Sequence, residues 1–247
     1  MGLAGARAAK APEGPEVLVV ADLYTDAATA RPTKERPIHF FMMGGTELTL
    51  GDPIGGEPMP KKETVAAAVA GALASQGFVE TKLGGLVPTI AIVFAYGTAN
   101  LSTVELSDTD AGTGETTTSL ISFNSREIAA LVGADRASRR MLMTSEADRI
   151  NEAARDNRVY VLVAALDIEA LRKKQRKLAW RARISIDARR TTLPENIKVM
   201  LASAAPYFAT TTDLPQFIED ADRRKAEVII GTPRVVDEDV KQAPKKK

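Results

Sequence analysis

The amino-acid sequence predicts an α/β protein of the α+β type, with a mixed, largely antiparallel β-sheet packed by Ala-rich helices in a two- or three-layer sandwich. Strand-like runs rich in β-branched and aromatic residues alternate irregularly with helix-like segments. Two of these runs are separated by fewer residues than a parallel crossover usually takes, which favours a hairpin. The 45% hydrophobic and 26% charged content is that of a globular protein.

The N-terminal part of the chain supplies two strands and one helix. Val17 to Tyr24 is a β-branched run typical of a buried strand, and Pro37 to Met43 is apolar on both faces, as in a central strand. The turn residues between Gly44 and Lys62 predict a surface loop. Glu63 to Ser75 is Ala-rich with apolar residues at helical spacing, and Gly77 stands where a left-handed residue ends a helix.

The central part begins with the strongest strand pattern. Pro88 to Tyr96 is apolar and β-branched, and we expect Gly97 to end this strand. The polar tract from Ser107 to Ser119 predicts a loop. A helix is expected from the Asn124 cap, followed by an exposed amphipathic helix over Glu146 to Asp156.

The second half contains a predicted antiparallel hairpin. Val159 to Leu166 is a continuous apolar run, whereas Leu178 to Ile186 alternates apolar and polar residues, the period of a strand with one solvent-exposed face. A helical turn around Glu169 to Gln175 would connect the two strands. Trp180 alternates with arginines, which predicts that its side chain faces the core.

The last elements complete one domain. Leu193 to Phe208, with Pro at the first turn, predicts a helix, and Ala226 to Val236 can form only an edge strand because Pro233 interrupts it. We expect a disordered segment over residues 1–15, a single α/β domain over 16–236 and a disordered Lys-rich tail over 237–247.

The composition restricts the classes of partner and cofactor. Lys and Arg total 33 against 32 for Asp and Glu, so no overall field attracts nucleic acid, and no nucleic-acid partner is expected. The absence of Cys excludes disulfides, iron–sulfur clusters, thiolate zinc and a cysteine nucleophile. No apolar run approaches the ~20 residues of a transmembrane helix.

The N-terminal segment suggests a cell compartment. Ala4-Gly5-Ala6 has the small-x-small form of a signal-peptide cleavage site, which favours a trimmed secretory protein that is periplasmic or extracellular. The alternative is a cytoplasmic protein with an Ala-rich N-terminus. A protein or another component of the cell envelope is the favoured partner.

Metal and cofactor sites have little support in the sequence. His39 is the single histidine and lies in an apolar run, where a hydrogen-bonded core residue is commoner than a ligand. Asp108, Asp110 and Glu115 lie among glycines and resemble part of a calcium loop, although the full ligand series is missing. No cofactor is expected, with Ca²⁺ at this segment as the alternative to an exposed polar loop.

Two further hypotheses concern catalysis and anion binding. A hydrolase or metal-dependent enzyme would use carboxylates near strand ends, for which Asp22, Asp108, Asp110 and Asp167 are the candidates. Alternatively, the densest basic stretch would bind an anionic polymer, unless its charges only keep a hairpin tip and a sheet face solvated. The anion-binding candidates are Arg172, Lys173, Arg176, Lys177, Arg181 and Arg183.

Two local patterns resemble uncharacterised bacterial envelope lipoproteins over about half the chain. One is the helix, Gly77-Phe78 and the strand Pro88 to Tyr96; the other is the hairpin from Leu162 to Arg181 followed by a helix that reaches Pro206-Tyr207-Phe208. The resemblance implies an α/β sandwich outside the cytoplasm and no particular activity. A lipoprotein carries a lipidated Cys and this chain has none, so the anchor would have been trimmed or the protein secreted. The leading hypothesis is a non-catalytic binding or scaffolding protein.

Overall fold

A computed structural model describes residues 14–26, 31–33, 35–81, 86–109, 113, 116–122, 124–137, 144–189 and 191–219. The strands are β1 (Val17–Leu23), β2 (Ile38–Glu47), β3 (Phe78–Glu80), β4 (Ile90–Ala99), β5 (Thr103–Thr109), β6 (Thr116–Ser122), β7 (Arg158–Asp167), β8 (Leu178–Asp187) and β9 (Gln216–Ile218). The helices are α1 (Lys62–Ser75), α2 (Ser125–Val132), α3 (Ala134–Ala137), α4 (Thr144–Arg155), α5 (Ile168–Arg172) and α6 (Leu193–Ala204), with a 3₁₀ turn over Ala205–Tyr207.

The described strands form one large sheet and one separate hairpin. The order in the large sheet is β3-β2-β4-β7-β8-β1-β9, in which β2 is parallel to β3 and β4 and the other pairs are antiparallel. The predicted segments around Ile92, Leu162, Ile184 and Leu18 lie in four adjacent strands, and α5 connects β7 to β8 in the predicted hairpin. The predicted mixed, largely antiparallel sheet is confirmed.

One face of the sheet is covered by α1 and α6. Val65 and Leu73 of α1 and Ile197 and Leu201 of α6 are fully buried against the apolar side chains of the strands. Trp180 belongs to this core, as predicted, and its ring stacks on Phe208 with centroids 5.3 Å apart. Burial of these large side chains is the main favourable contribution to folding on this face.

The other face is covered by α2, α3 and α4. Leu18 and Val20 of β1 pack with Val132 and Ile150, and Tyr160 of β7 packs with Ile128 and Leu131 of α2. The sheet therefore lies between two helical layers. The prediction that one face of β8 is exposed to solvent is wrong, because Arg183 is buried there. Its charge is paired with Asp22, and this pairing allows a helix to cover a polar position of the strand.

Two strands continue through glycines that were expected to end them. β2 extends through Gly44 and Gly45 with an irregularity after Met42, and β4 extends through Gly97. A Cβ at Gly97 would lie 2.3 Å from the carbonyl oxygen of Leu48, so this glycine allows another part of the chain to approach closely. Glycine inside these strands marks a close approach and a bulge, not a stop.

The predicted loop over Ser107 to Ser119 is wrong, because β5 and β6 form an antiparallel hairpin there. Threonines at both strands favour extended backbone even where they are exposed. Asn124 precedes α2 as predicted, but its Oδ1 accepts a hydrogen bond from the Ser102 amide at 2.9 Å and does not cap the helix. The predicted edge strand over Ala226 to Val236 lies outside the described residues, as do residues 1–13 and 220–247.

Candidate functional site

A cleft of about 620 Å³ opens at the end of the sheet where β1 and β7 begin and β8 ends. The start of β7 and the end of β8 meet there because Arg158 pairs with Asp187 in the antiparallel register. The C-terminal part of α4 and strand β9 complete the walls. The cleft, called the end cleft below, is lined by Pro15, Glu16, Arg149, Glu152, Ala153, Asp156, Arg158, Asp187, Arg189, Thr191 and Phe217.

Arg158 is the most unusual residue of the end cleft. It is 4% exposed, and its Nε donates a hydrogen bond to Ser185 Oγ at 2.9 Å. Burial lowers the pKa of the Arg158 guanidinium, while the charges of Asp187 and Asp156 oppose that shift. Within the described residues, its two terminal nitrogens donate no hydrogen bond. These nitrogens are not among the described atoms that are both buried and unpartnered, so they face the open volume of the cleft, where they can donate to an anion.

The other two arginines of the end cleft, Arg149 and Arg189, are in ion pairs with acidic residues. Arg149 forms ion pairs with Glu16 and, at 3.1 Å, with Glu219, and its guanidinium lies 4.2 Å from the centre of the Phe217 ring. This arrangement fixes Arg149 by charge and by stacking on the aromatic ring.

Arg189 is held by two acidic residues of the end cleft. It donates to Asp187 at 2.7 Å and to Asp156 at 3.1 Å. Burial raises the pKa of the Asp156 carboxyl, and the charge of Arg189 opposes that change. These carboxylates therefore balance Arg189 more directly than Arg158.

A second charged group, the Asp22 cluster, has a different organisation. Three described arginines surround this carboxylate: Asp22 accepts from Arg136, from Arg181 at 3.1 Å and from Arg183 at 2.6 Å. Arg183 also donates to the Ala130 carbonyl at 2.5 Å. Burial lowers the pKa of Arg183, and Asp22 opposes the shift. The cluster joins α2 and α3 to the sheet, which indicates a structural role.

The predicted anion-binding residues fall into two separate places. Arg172, Lys173, Arg176 and Lys177 are exposed at the connection between β7 and β8, whereas Arg181 and Arg183 belong to the Asp22 cluster. The structure does not bring the six together through any contact among the described residues. Binding of an anionic polymer by the exposed group stays a prediction.

The predicted carboxylate and metal sites are also dispersed. Asp22 is enclosed by arginines, and Asp167 accepts a hydrogen bond from the Ala170 amide at 3.1 Å as the cap of α5. Asp108 is part of strand β5, while Asp110 and Glu115 fall outside the described residues. In the part of the chain that the structure describes, no three His, Cys, Asp or Glu side chains are grouped to hold a metal ion.

A smaller cavity of about 250 Å³ lies near the opposite end of β8. Trp180, Asp167, Glu169, Thr25 and Thr89 are among its lining residues. The indole nitrogen of Trp180 is buried and has no hydrogen-bond partner among the described residues. His39 lies on β2, where its carbonyl accepts hydrogen bonds from Thr89.

Sequence reasoning missed the end cleft, although a signal for it exists. Asp156-Asn157-Arg158 precedes one strand of the predicted hairpin and Asp187-Ala188-Arg189 follows the other. Antiparallel pairing of the two strands places these two Asp-x-Arg segments side by side. Matching charged segments at the ends of a predicted hairpin therefore indicate a common site.

Comparison with known proteins adds little about function. No protein-family model and no curated protein matches the chain. Two solved structures of PelC dodecamers from Paraburkholderia phytofirmans, one of them a point variant, are similar at 10% identity over 78% of this chain. They are covered to 98% and 99% of their length, with TM-scores of 0.36 and 0.34, a level that carries no argument about function.

Among the described helices, none combines the length and the apolar character that crossing a bilayer requires.

Proposed function

We propose that this protein is a non-catalytic binding protein that holds an anionic group of its ligand in the end cleft through Arg158. One observation carries the proposal. Arg158 is a buried residue that lines the end cleft, and within the described residues its two terminal nitrogens donate no hydrogen bond. Guanidinium groups bind carboxylate and phosphate with two parallel hydrogen bonds.

The other charges of the end cleft support binding over proton transfer. Three of its acidic residues, Glu16, Asp156 and Asp187, are in ion pairs with Arg149 or Arg189. A carboxylate whose oxygen atoms accept from a guanidinium has fewer free lone pairs with which to take a proton from a substrate. These pairs fix the walls of the cleft around Arg158.

The compartment is part of the proposal and rests on the sequence alone. The Ala4-Gly5-Ala6 pattern and the resemblance to envelope lipoproteins favour a periplasmic or extracellular binding or scaffolding protein. Fractionation of cells that express the native gene would locate the protein, and recovery in the cytoplasm would contradict this part.

The test is a titration with acetate and, separately, inorganic phosphate at ionic strength held constant with NaCl. The Nε–H of Arg158 is the reporter, because its hydrogen bond to Ser185 slows exchange and makes it observable by NMR. We expect a saturable shift of this resonance with at least one anion. Absence of any saturable response would contradict the proposal.

Substitutions separate the cleft from general charge effects. Arg158→Lys keeps the charge and loses the forked geometry, so we expect weaker anion binding, monitored by the amide resonances of the cleft. Arg155→Lys is the matched control, since Arg155 is exposed on the same helix as Arg149 and does not line the cleft. Equal loss of binding in both variants would indicate non-specific attraction.

A further inference from the structure

Two charged residues that line the end cleft, Arg158 and Glu152, stand outside the ion pairs of its walls. Arg149 is in ion pairs with Glu16 and Glu219, and Arg189 with Asp156 and Asp187, so four carboxylates face these two guanidiniums. Within the described residues, neither Arg158 nor Glu152 belongs to any ion pair. The remaining pair of groups therefore has opposite charges.

Glu152 occupies a place from which it can meet a ligand. It is exposed and lines the end cleft near the C-terminus of α4. The amide of Asp156, which directly follows α4, donates to the Glu152 carbonyl at 3.1 Å, so the two carboxylates are one helical turn apart. An anionic ligand alone would bring a further negative charge next to them. Like charges brought together in a partly enclosed site oppose binding.

We infer that the end cleft takes a small zwitterion, whose anionic group binds Arg158 and whose ammonium group binds Glu152. This inference rests on the proposed function, since it names the class of ligand for the same site. A zwitterion satisfies both remaining groups and leaves the charge of the cleft unchanged. Phe217 and Ala153 supply apolar surface for the hydrocarbon part of such a molecule.

The experiment compares zwitterions with carboxylic acids of the same chain length. The pairs are glycine with acetate, 4-aminobutyrate with butyrate, and 6-aminohexanoate with hexanoate, which vary the spacing of the two charges. The readout is the same Arg158 Nε–H resonance in the intact chain. We expect at least one zwitterion to bind about tenfold more tightly than its matched acid, as one added charge pair implies.

The Glu152→Gln variant locates the second contact. We expect it to reduce the affinity for the zwitterion to that for the matched acid and to leave acid binding unchanged or stronger. Glu146→Gln is the control, because Glu146 is exposed on the same helix and does not line the cleft. An effect of equal size in the control would overturn the assignment of Glu152.

The outcomes distinguish this inference from the proposed function. Carboxylates that bind at Arg158 with no preference for the zwitterion would overturn the inference alone. If neither class perturbs Arg158, both are overturned.

Discussion

Arg183 and Arg158 lie on adjacent strands and are equally buried, with 5% and 4% of their surface exposed, but their partners differ. Arg183 is paired with the carboxylate of Asp22, whereas the described contact of Arg158 is a neutral hydroxyl. A buried guanidinium with a carboxylate belongs to the scaffold, because the pair offsets its own desolvation. A buried guanidinium with only a hydroxyl leaves attraction available for a ligand.

The largest expected effect on stability is at the Asp22 cluster. Asp22→Ala leaves Arg136, Arg181 and Arg183 without their common carboxylate, and we expect it to lower the free energy of unfolding by about 3 kcal/mol, since one buried charge loses its counter-ion. Urea unfolding measures the loss. Asp148→Ala, at an exposed position on α4, is the control, with an expected change below about 0.5 kcal/mol. Equal values for the two variants would remove the distinction between scaffold and ligand site.

A smaller effect is expected at the unpaired arginine. Arg158→Met replaces the arginine with an uncharged side chain of similar length. Removal of a desolvated charge favours the folded state, whereas loss of the donor to the Ser185 hydroxyl opposes it. We expect the free energy of unfolding to change by less than about 1 kcal/mol, measured by the same urea titration. Anion binding should nevertheless be lost. A loss of stability as large as that of Asp22→Ala would place Arg158 in the scaffold.

The elements of the core could be predicted from the sequence because apolar periodicity reports burial directly. The runs around Leu18, Ile92, Leu162 and Ile184 form adjacent strands as predicted, and α1 and α6 occupy the expected segments. Glycine was the misleading signal. Gly97 allows Leu48 to approach closely, which depends on a distant segment and leaves no local pattern.

The candidate site was harder to predict, because its function depends on which charged residues form ion pairs and not on residue type alone. The alternation of Arg181 and Arg183 correctly places them on one face of β8, but only the structure shows that Asp22 occupies both. Arg158 looks in sequence like an ordinary charge at the start of a strand. Its importance comes from burial against Ser185 on the neighbouring strand, which no local pattern records.

The smallest effect concerns the pH dependence of the free energy of unfolding that Asp156 contributes. This residue lies in the end cleft and not in the Asp22 cluster. Burial raises its pKa in the folded protein, so the folded state binds this proton more tightly than the unfolded state does. This contribution to stability is present at low pH and decreases as the pH rises from the ordinary Asp pKa of about 3.9 to the raised value. Asn imitates the protonated form at every pH.

Asp156→Asn should therefore be more favourable to stability at pH 7 than at pH 4, relative to the unsubstituted protein. The free energy of unfolding in urea at the two pH values measures this difference, with Asp148→Asn as the exposed control. The loss of the 3.1 Å contact with Arg189 reduces this gain only slightly, because Arg189 is exposed and such a pair contributes little. A shift in the opposite direction would mean that Arg189 outweighs burial, and that the end cleft stabilises its carboxylates as the Asp22 cluster does.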